Sequence, residues 1–165
     1  MNTDQGQVVA AFLLSNFQQE HETTKKVIRA VPDNQMTYKP DPKAKSAHEL
    51  AWHIATAEVW FLDGILAGAF SMEEGPAAPP TIGAIVDWYE TNFQDRLTRL
   101  KNLPGENLVK TIPFFGMMEL PAVAYLTFLS MHSAHHRGQL STYLRPMGSK
   151  VPSIYGGSAD EPMQM

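Results

Sequence analysis

Apolar positions recur with helical period in four long segments of the chain. The first runs from about Asp4 to Val31, with Val8, Phe12, Phe17, Val27 and Ile28 among its apolar positions, and Pro32 stops it. The stretch PDNQMTYKPDPKAK is a loop, because its prolines interrupt helical hydrogen bonding. Ser46-Ala47-His48-Glu49 opens the second helix as a capping box, followed by Leu50, Ile54, Ala57, Phe61 and Ile65. That helix ends near Gly68, and EEGPAAPP breaks the pattern. Thr81 caps a third helix carrying Ile82, Ile85, Trp88, Tyr89, Phe93, Leu97 and Leu100, which LPGEN terminates. Leu108–Glu119 contains Pro113 and Gly116 and reads as an irregular crossing or a short extended piece. The fourth helix begins around Pro121, a residue tolerated in a first helical turn, and runs to about Arg145. Pro146 and Gly148 end it, and the turn-rich VPSIYGGSADEP is expected across one end of the molecule. Four long helices without a run of alternating strands predict an all-α four-helix bundle.

Composition narrows the possibilities. The 165 residues suit one domain spanning 1–165. Hydrophobic residues make up 44% and charged residues 18%, a globular balance rather than a disordered one. The net charge is −4, and the basic residues are scattered (Lys25, Lys26, Arg29; Arg96, Arg99, Lys101), so nucleic acid is not an expected partner. There is no cysteine, which excludes disulfides, thiolate ligands and a cysteine nucleophile. MNTDQGQVVAAFLLSN has no basic leader and reads as the start of a helix. No apolar run is long enough for a bilayer. The expected location is the cytoplasm, with no membrane partner.

The chemistry concentrates in histidine. Of the six, His132, His135 and His136 fall within MHSAHHRGQL. His132 and His136 are four apart, so on a helix both project from one face and can chelate one ion. Leu129, His132, His136, Leu140, Tyr143 and Met147 follow steps of three, four, four, three and four. The two histidines therefore occupy expected core positions, where their nitrogens need partners. His135, three from His132, is the rival ligand. On the second helix His53 is the best third candidate, since it flanks the core stripe beside Ala57 and Trp60. His48 reads as exposed, and His21, within QQEHETTKK, as solvated. Gly138 suggests close helix packing, and Gln139 lies either beside the metal or on the surface. Trp52, Trp60 and Trp88 read as core or pocket wall. Glu49 either accepts an imidazole N–H or only caps its helix.

HELAWHIATAEVWFLDGIL, MHSAHHRGQL and LRPMGSKVPSIYGGSADE together resemble the DinB/YfiT-like family of bacterial metalloproteins. The resemblance covers most of the chain. It implies a four-helix bundle with one long crossover, and a metal held by His53 from the second helix and His132 and His136 from the fourth. Three neutral imidazoles leave a coordination position open and suit Zn, Ni, Fe, Mn or Co. Some relatives are thiol S-transferases using a small thiol such as bacillithiol, and another is a mycothiol-dependent isomerase. The resemblance thus implies a metal-dependent transferase that activates a low-molecular-weight thiol for attack on an electrophile. A metal-dependent hydrolase and a non-catalytic, stress-associated metal-binding protein are the alternatives. It also implies a homodimer. Phe114, Phe115, Met117 and Met118 would either form that interface or cap the core.

Overall fold

The computed structural model describes residues 1–163. Helix α1 spans Thr3–Arg29, and Asn2 and Gln5 close a reciprocal capping box at its start. Its buried face is Ala10, Leu14, Phe17, His21, Thr24 and Ile28, whereas Val8 and Phe12 stand 71% and 65% exposed. Both of those apolar residues face away from the core, contrary to expectation, because the buried row follows Ala10 and Leu14.

Helix α2 covers Ala47–Ala67. The Ser46 hydroxyl accepts from the Glu49 N–H at 3.2 Å, and the Glu49 carboxylate accepts from the Ser46 N–H at 2.7 Å. Gly68 ends the helix at φ 68°, a left-handed conformation in which a side chain would be strained. Helix α3 covers Ile82–Lys101, with the Thr81 hydroxyl accepting from the Ala84 N–H at 3.2 Å.

The ambiguous crossing is ordered. A short helix α4, Gly105–Val109, leads into antiparallel strands β1, Thr111–Phe114, and β2, Met118–Pro121, with Thr111 opposite Pro121 and Phe114 opposite Met118. Phe115 and Gly116 both take positive φ, 50° and 73°, as the tight right-twisted turn between such strands requires. Pro121 therefore ends a strand rather than opening a helix. Helix α5 starts later, at Ala124, and runs to Leu144. The four apolar residues of this segment divide. Phe114 is buried against Phe61, Phe70 and Tyr125, Met118 is half-buried, and Phe115 and Met117 are exposed.

In the bundle α1 packs on α3 and α5, and α2 packs on the same two helices. The pairs α1/α2 and α3/α5 therefore lie diagonally, and the α4–hairpin segment makes the long crossover between the second pair. No helix among the described residues is long and apolar enough to cross a membrane. The tail returns over α1, where the Ser149 hydroxyl donates to the Ala30 carbonyl at 2.6 Å and the Tyr155 hydroxyl donates to Glu20 at 2.7 Å.

Candidate metal centre

Helices α2 and α5 lie side by side, and their facing edges bring His53, His132 and His136 together. One nitrogen from each ring falls within 4.8 Å of the others. His53 Nε2 and His136 Nε2 are 3.2 Å apart. The ring centroids of His132 lie 5.3 Å from His53 and 4.5 Å from His136.

The buried residues of α5 are Tyr125, Leu126, Leu129, Ser133, Arg137, Leu140, Tyr143 and Leu144. The row keeps Leu129, Leu140 and Tyr143 of the expectation but passes through Ser133 and Arg137, each one position on from His132 and His136. His132 and His136 sit beside this row and are half-buried, not in the core. Periodicity fits both rows; the difference arises because Arg137, a residue normally kept in water, buries itself. Its guanidinium donates to Thr24 Oγ1 and to the Glu20 carbonyl, both at 3.2 Å, and pairs with the Glu20 carboxylate at 2.6 Å. The Tyr155 hydroxyl accepts from it as well, and the Tyr155 ring lies 5.0 Å from the guanidinium carbon. With its donors satisfied, the charge is tolerated in the interior.

The edge position keeps the three imidazoles neutral. Burial, with help from the neighbouring rings, holds His53 and His132 down at about 4. His136 is lowered by burial too, against the raising effect of Gln139. Gln139 Oε1 lies 3.1 Å from His136 Nδ1, and its amide reaches the Tyr143 hydroxyl at 3.4 Å. An Nδ1–H donated to Gln139 leaves the Nε2 lone pair aimed at His53. Gln139→Ala should therefore weaken metal binding by about 10–100-fold. Competition against a chelator of known affinity measures this, and an unchanged affinity would remove Gln139 from the site.

The remaining expectations divide, and those for Gly138, His48 and His21 are corrected. His135 is exposed, with its ring 4.8 Å from that of His136, and is not one of the converging group. Gly138 is exposed and a Cβ there meets nothing, so close packing does not explain it. Glu49 acts as the cap of α2. His48 is half-buried rather than exposed, its Nε2 2.7 Å from the Pro79 carbonyl. His21 is fully buried, not solvated: it stacks on Phe93 at 3.7 Å and meets Glu90 at 3.1 Å. Its other ring nitrogen is buried without a partner. His21, Glu22 and Glu90 also bring donor atoms close together. Lys25 Nζ already lies there, 2.7 Å from Glu22 and in contact with Glu90, so an ammonium supplies the positive charge.

Two further features stand out, the first without a local signal in the sequence and the second foreshadowed only by Trp60 and Trp88 as core or pocket wall. The first is Glu58, fully buried on α2, which accepts from Tyr89 on α3 and Ser133 on α5 and so joins three helices. Burial pushes its carboxyl up to about 7, although both hydroxyls and nearby Arg137 act the other way. A carboxyl raised on folding holds its proton in the native state between pH 4.5 and 7, so stability falls as pH rises through that window. Glu58→Gln should remove on the order of 3 kcal/mol of this fall. Urea unfolding of both chains at pH 5 and pH 8 reads the difference, and an equal gap at both pH values would reject it.

The second is a cavity of about 710 Å³ that opens beside His53 and His132. Trp60, Phe61 and Trp88 contribute aromatic walls. At its far side Arg96 makes a two-point contact with Asp63, at 3.0 and 3.2 Å, and a 2.9 Å bond to Asn92. The cavity thus runs from imidazole nitrogens to aromatic surface, as in sites for small molecules.

The DinB family model matches residues 1–164. The chain belongs to the DinB family. The uncharacterized protein YrdA of Bacillus subtilis is 27% identical over 150 residues, 90% of this chain and 89% of that protein. The crystal structure of the DinB-like YjoA of Bacillus subtilis superposes with a TM-score of 0.71 at 26% identity, covering 86% of this chain and 96% of that one. A DinB-like protein from Bacillus cereus gives 0.75 at 28% identity, covering 87% and 95%. The fold is also that of the mycothiol-dependent maleylpyruvate isomerase, with a TM-score of 0.53 at 9% identity over 93% of this chain and 66% of the other. The helical bundle is therefore the DinB fold.

Proposed function

We propose that His53, His132 and His136 hold one divalent metal ion, and that this DinB-family chain is a metal-dependent transferase activating a low-molecular-weight thiol for attack on an electrophile. The observation that carries the reading is the convergence of three neutral imidazoles, two of which, His53 and His132, line a cavity. Two nitrogen lone pairs 3.2 Å apart repel unless a proton or cation lies between them. Zinc–nitrogen bonds of about 2.0–2.1 Å at tetrahedral angles place ligand nitrogens about 3.3 Å apart, close to that separation. Three histidines leave room for a further ligand, a feature of catalytic rather than structural sites. When bound, the ion supplies positive charge that lowers the pKa of a coordinated thiol or water.

The chain's own residues set the rest. Gln139 orients His136, Glu58 and Ser133 fix α5 against α2, and Trp60 and Trp88 wall the cavity beside the site. One protein of this fold is named for its dependence on mycothiol; at 9% identity it lends the fold and not the substrate. The test is conjugation of a thiol panel to electrophiles by the zinc-, nickel-, iron-, manganese- or cobalt-loaded chain. Product that requires both metal and thiol supports the transferase. Turnover without thiol would make it a hydrolase, and stoichiometric metal with neither activity a binding protein.

A further inference from the structure

The cavity beside the histidines has a definite chemical character. Along α2, three side chains hold the loop between α2 and α3 by its backbone carbonyls. Trp60 Nε1 donates to Ser71 at 2.9 Å, Trp52 Nε1 donates to Pro76 at 3.2 Å, and His48 Nε2 lies 2.7 Å from Pro79. The first two anchors flank Glu73 and Glu74, which line the cavity. Trp60 therefore both walls the cavity and, with Trp52, holds the acidic pair at its rim.

The charges there do not cancel. Arg96 is engaged by Asp63 and Asn92, so the one Lys or Arg lining the cavity among the described residues is already neutralised. Among the described residues Glu73 and Glu74 have no ion-pair partner. Aromatic faces attract cations through their quadrupoles, and the two carboxylates, exposed at the rim, add negative potential there. An anionic group entering this cavity meets two unpaired carboxylates and no free cationic side chain.

We propose that this cavity takes an electrophile with a planar aromatic body and a positively charged tail, the body against Trp60 and Trp88 and the tail at Glu73 and Glu74. This rests on the reading of the histidines as the reactive end, but the selectivity belongs to the cavity. Three matched probes test it on the full-length chain freed of metal: benzyltrimethylammonium, its uncharged carbon isostere neopentylbenzene, and benzylsulfonate. Quenching of tryptophan fluorescence and calorimetry report binding. The cation should bind about tenfold more tightly than the sulfonate, with the neutral probe between them, a gap of about 1.4 kcal/mol. The double substitution Glu73→Gln and Glu74→Gln should close the gap to about threefold or less, and Trp60→Leu should weaken all three probes. Sulfonate binding equal to or tighter than the cation overturns the proposal. So does a preference that survives the double substitution, or no binding of any probe. A zinc titration of the same preparation reads the histidine site separately. Loss of zinc binding with retained cation preference would defeat the metal reading and leave the cavity's selectivity standing.

Discussion

Replacing His132 or His136 by alanine is expected to abolish stoichiometric metal binding. Each removes a direct donor from a set of three, so the loss should exceed the roughly 10–100-fold that follows from deleting a supporting hydrogen bond. His53→Ala should do the same from the other helix. His135→Ala is the control, because that ring is exposed and outside the converging group. Metal analysis of untagged protein and chelator competition give the answer. Metal retained by His136→Ala and lost by His135→Ala would reassign the ligands. The fold should survive all of these changes. The buried cluster of α1, α2, α3 and α5 is made by apolar residues, and the histidines lie at its edge. Chelation should lower the melting temperature by mass action while leaving helical circular dichroism and one cooperative transition. Loss of helix on chelation would instead make the site structural.

The largest stability effect is expected at Arg137. Arg137→Ala removes a buried guanidinium that bonds α1 and the tail at once, taking a donor from Thr24 and the positive charge from Glu20, whose carboxylate then keeps only the Tyr155 hydroxyl. Breaking such a pair from one side costs about 3–5 kcal/mol. At this chain length that is a fall of about 6–20 °C in melting temperature. Thermal and urea unfolding measure it. A loss below about 1 kcal/mol would mean that water enters and satisfies the abandoned groups.

The contrast between Arg137 and its neighbours shows what could be read from the chain alone. The Ser46–Glu49 box, the Thr81 cap and the Gly68 stop are local devices, and each stands where the residues indicated. The bundle was legible for the same reason, since amphipathic period is a property of each helix. His53, His132 and His136 were legible as a trio, but their depth was not. A period admits two rows one residue apart, and hydrophobicity alone favours burying histidine over arginine. Only Glu20, Thr24 and Tyr155, distant in sequence, reverse that choice. His21 misled in the same way, because Phe93 and Glu90 arrive from α3 to bury it. The hairpin was half-legible: Pro113 and Gly116 ruled out helix, yet the register of Thr111 with Pro121 depends on pairing between strands.

His53 and His136, whose nitrogens nearly touch, are 83 residues apart in the chain. Between them lie the whole of α3 and the crossover with its hairpin. As the polypeptide leaves the ribosome, His53 must wait until most of the last helix has emerged. An ion meeting the unfinished chain finds one imidazole of the three, and closing so long a loop costs more entropy than one weak ligand returns. On the proposed reading of the three histidines, assembly of the bundle would precede metal capture, and the completed protein would compete for whichever ion its surroundings then supply.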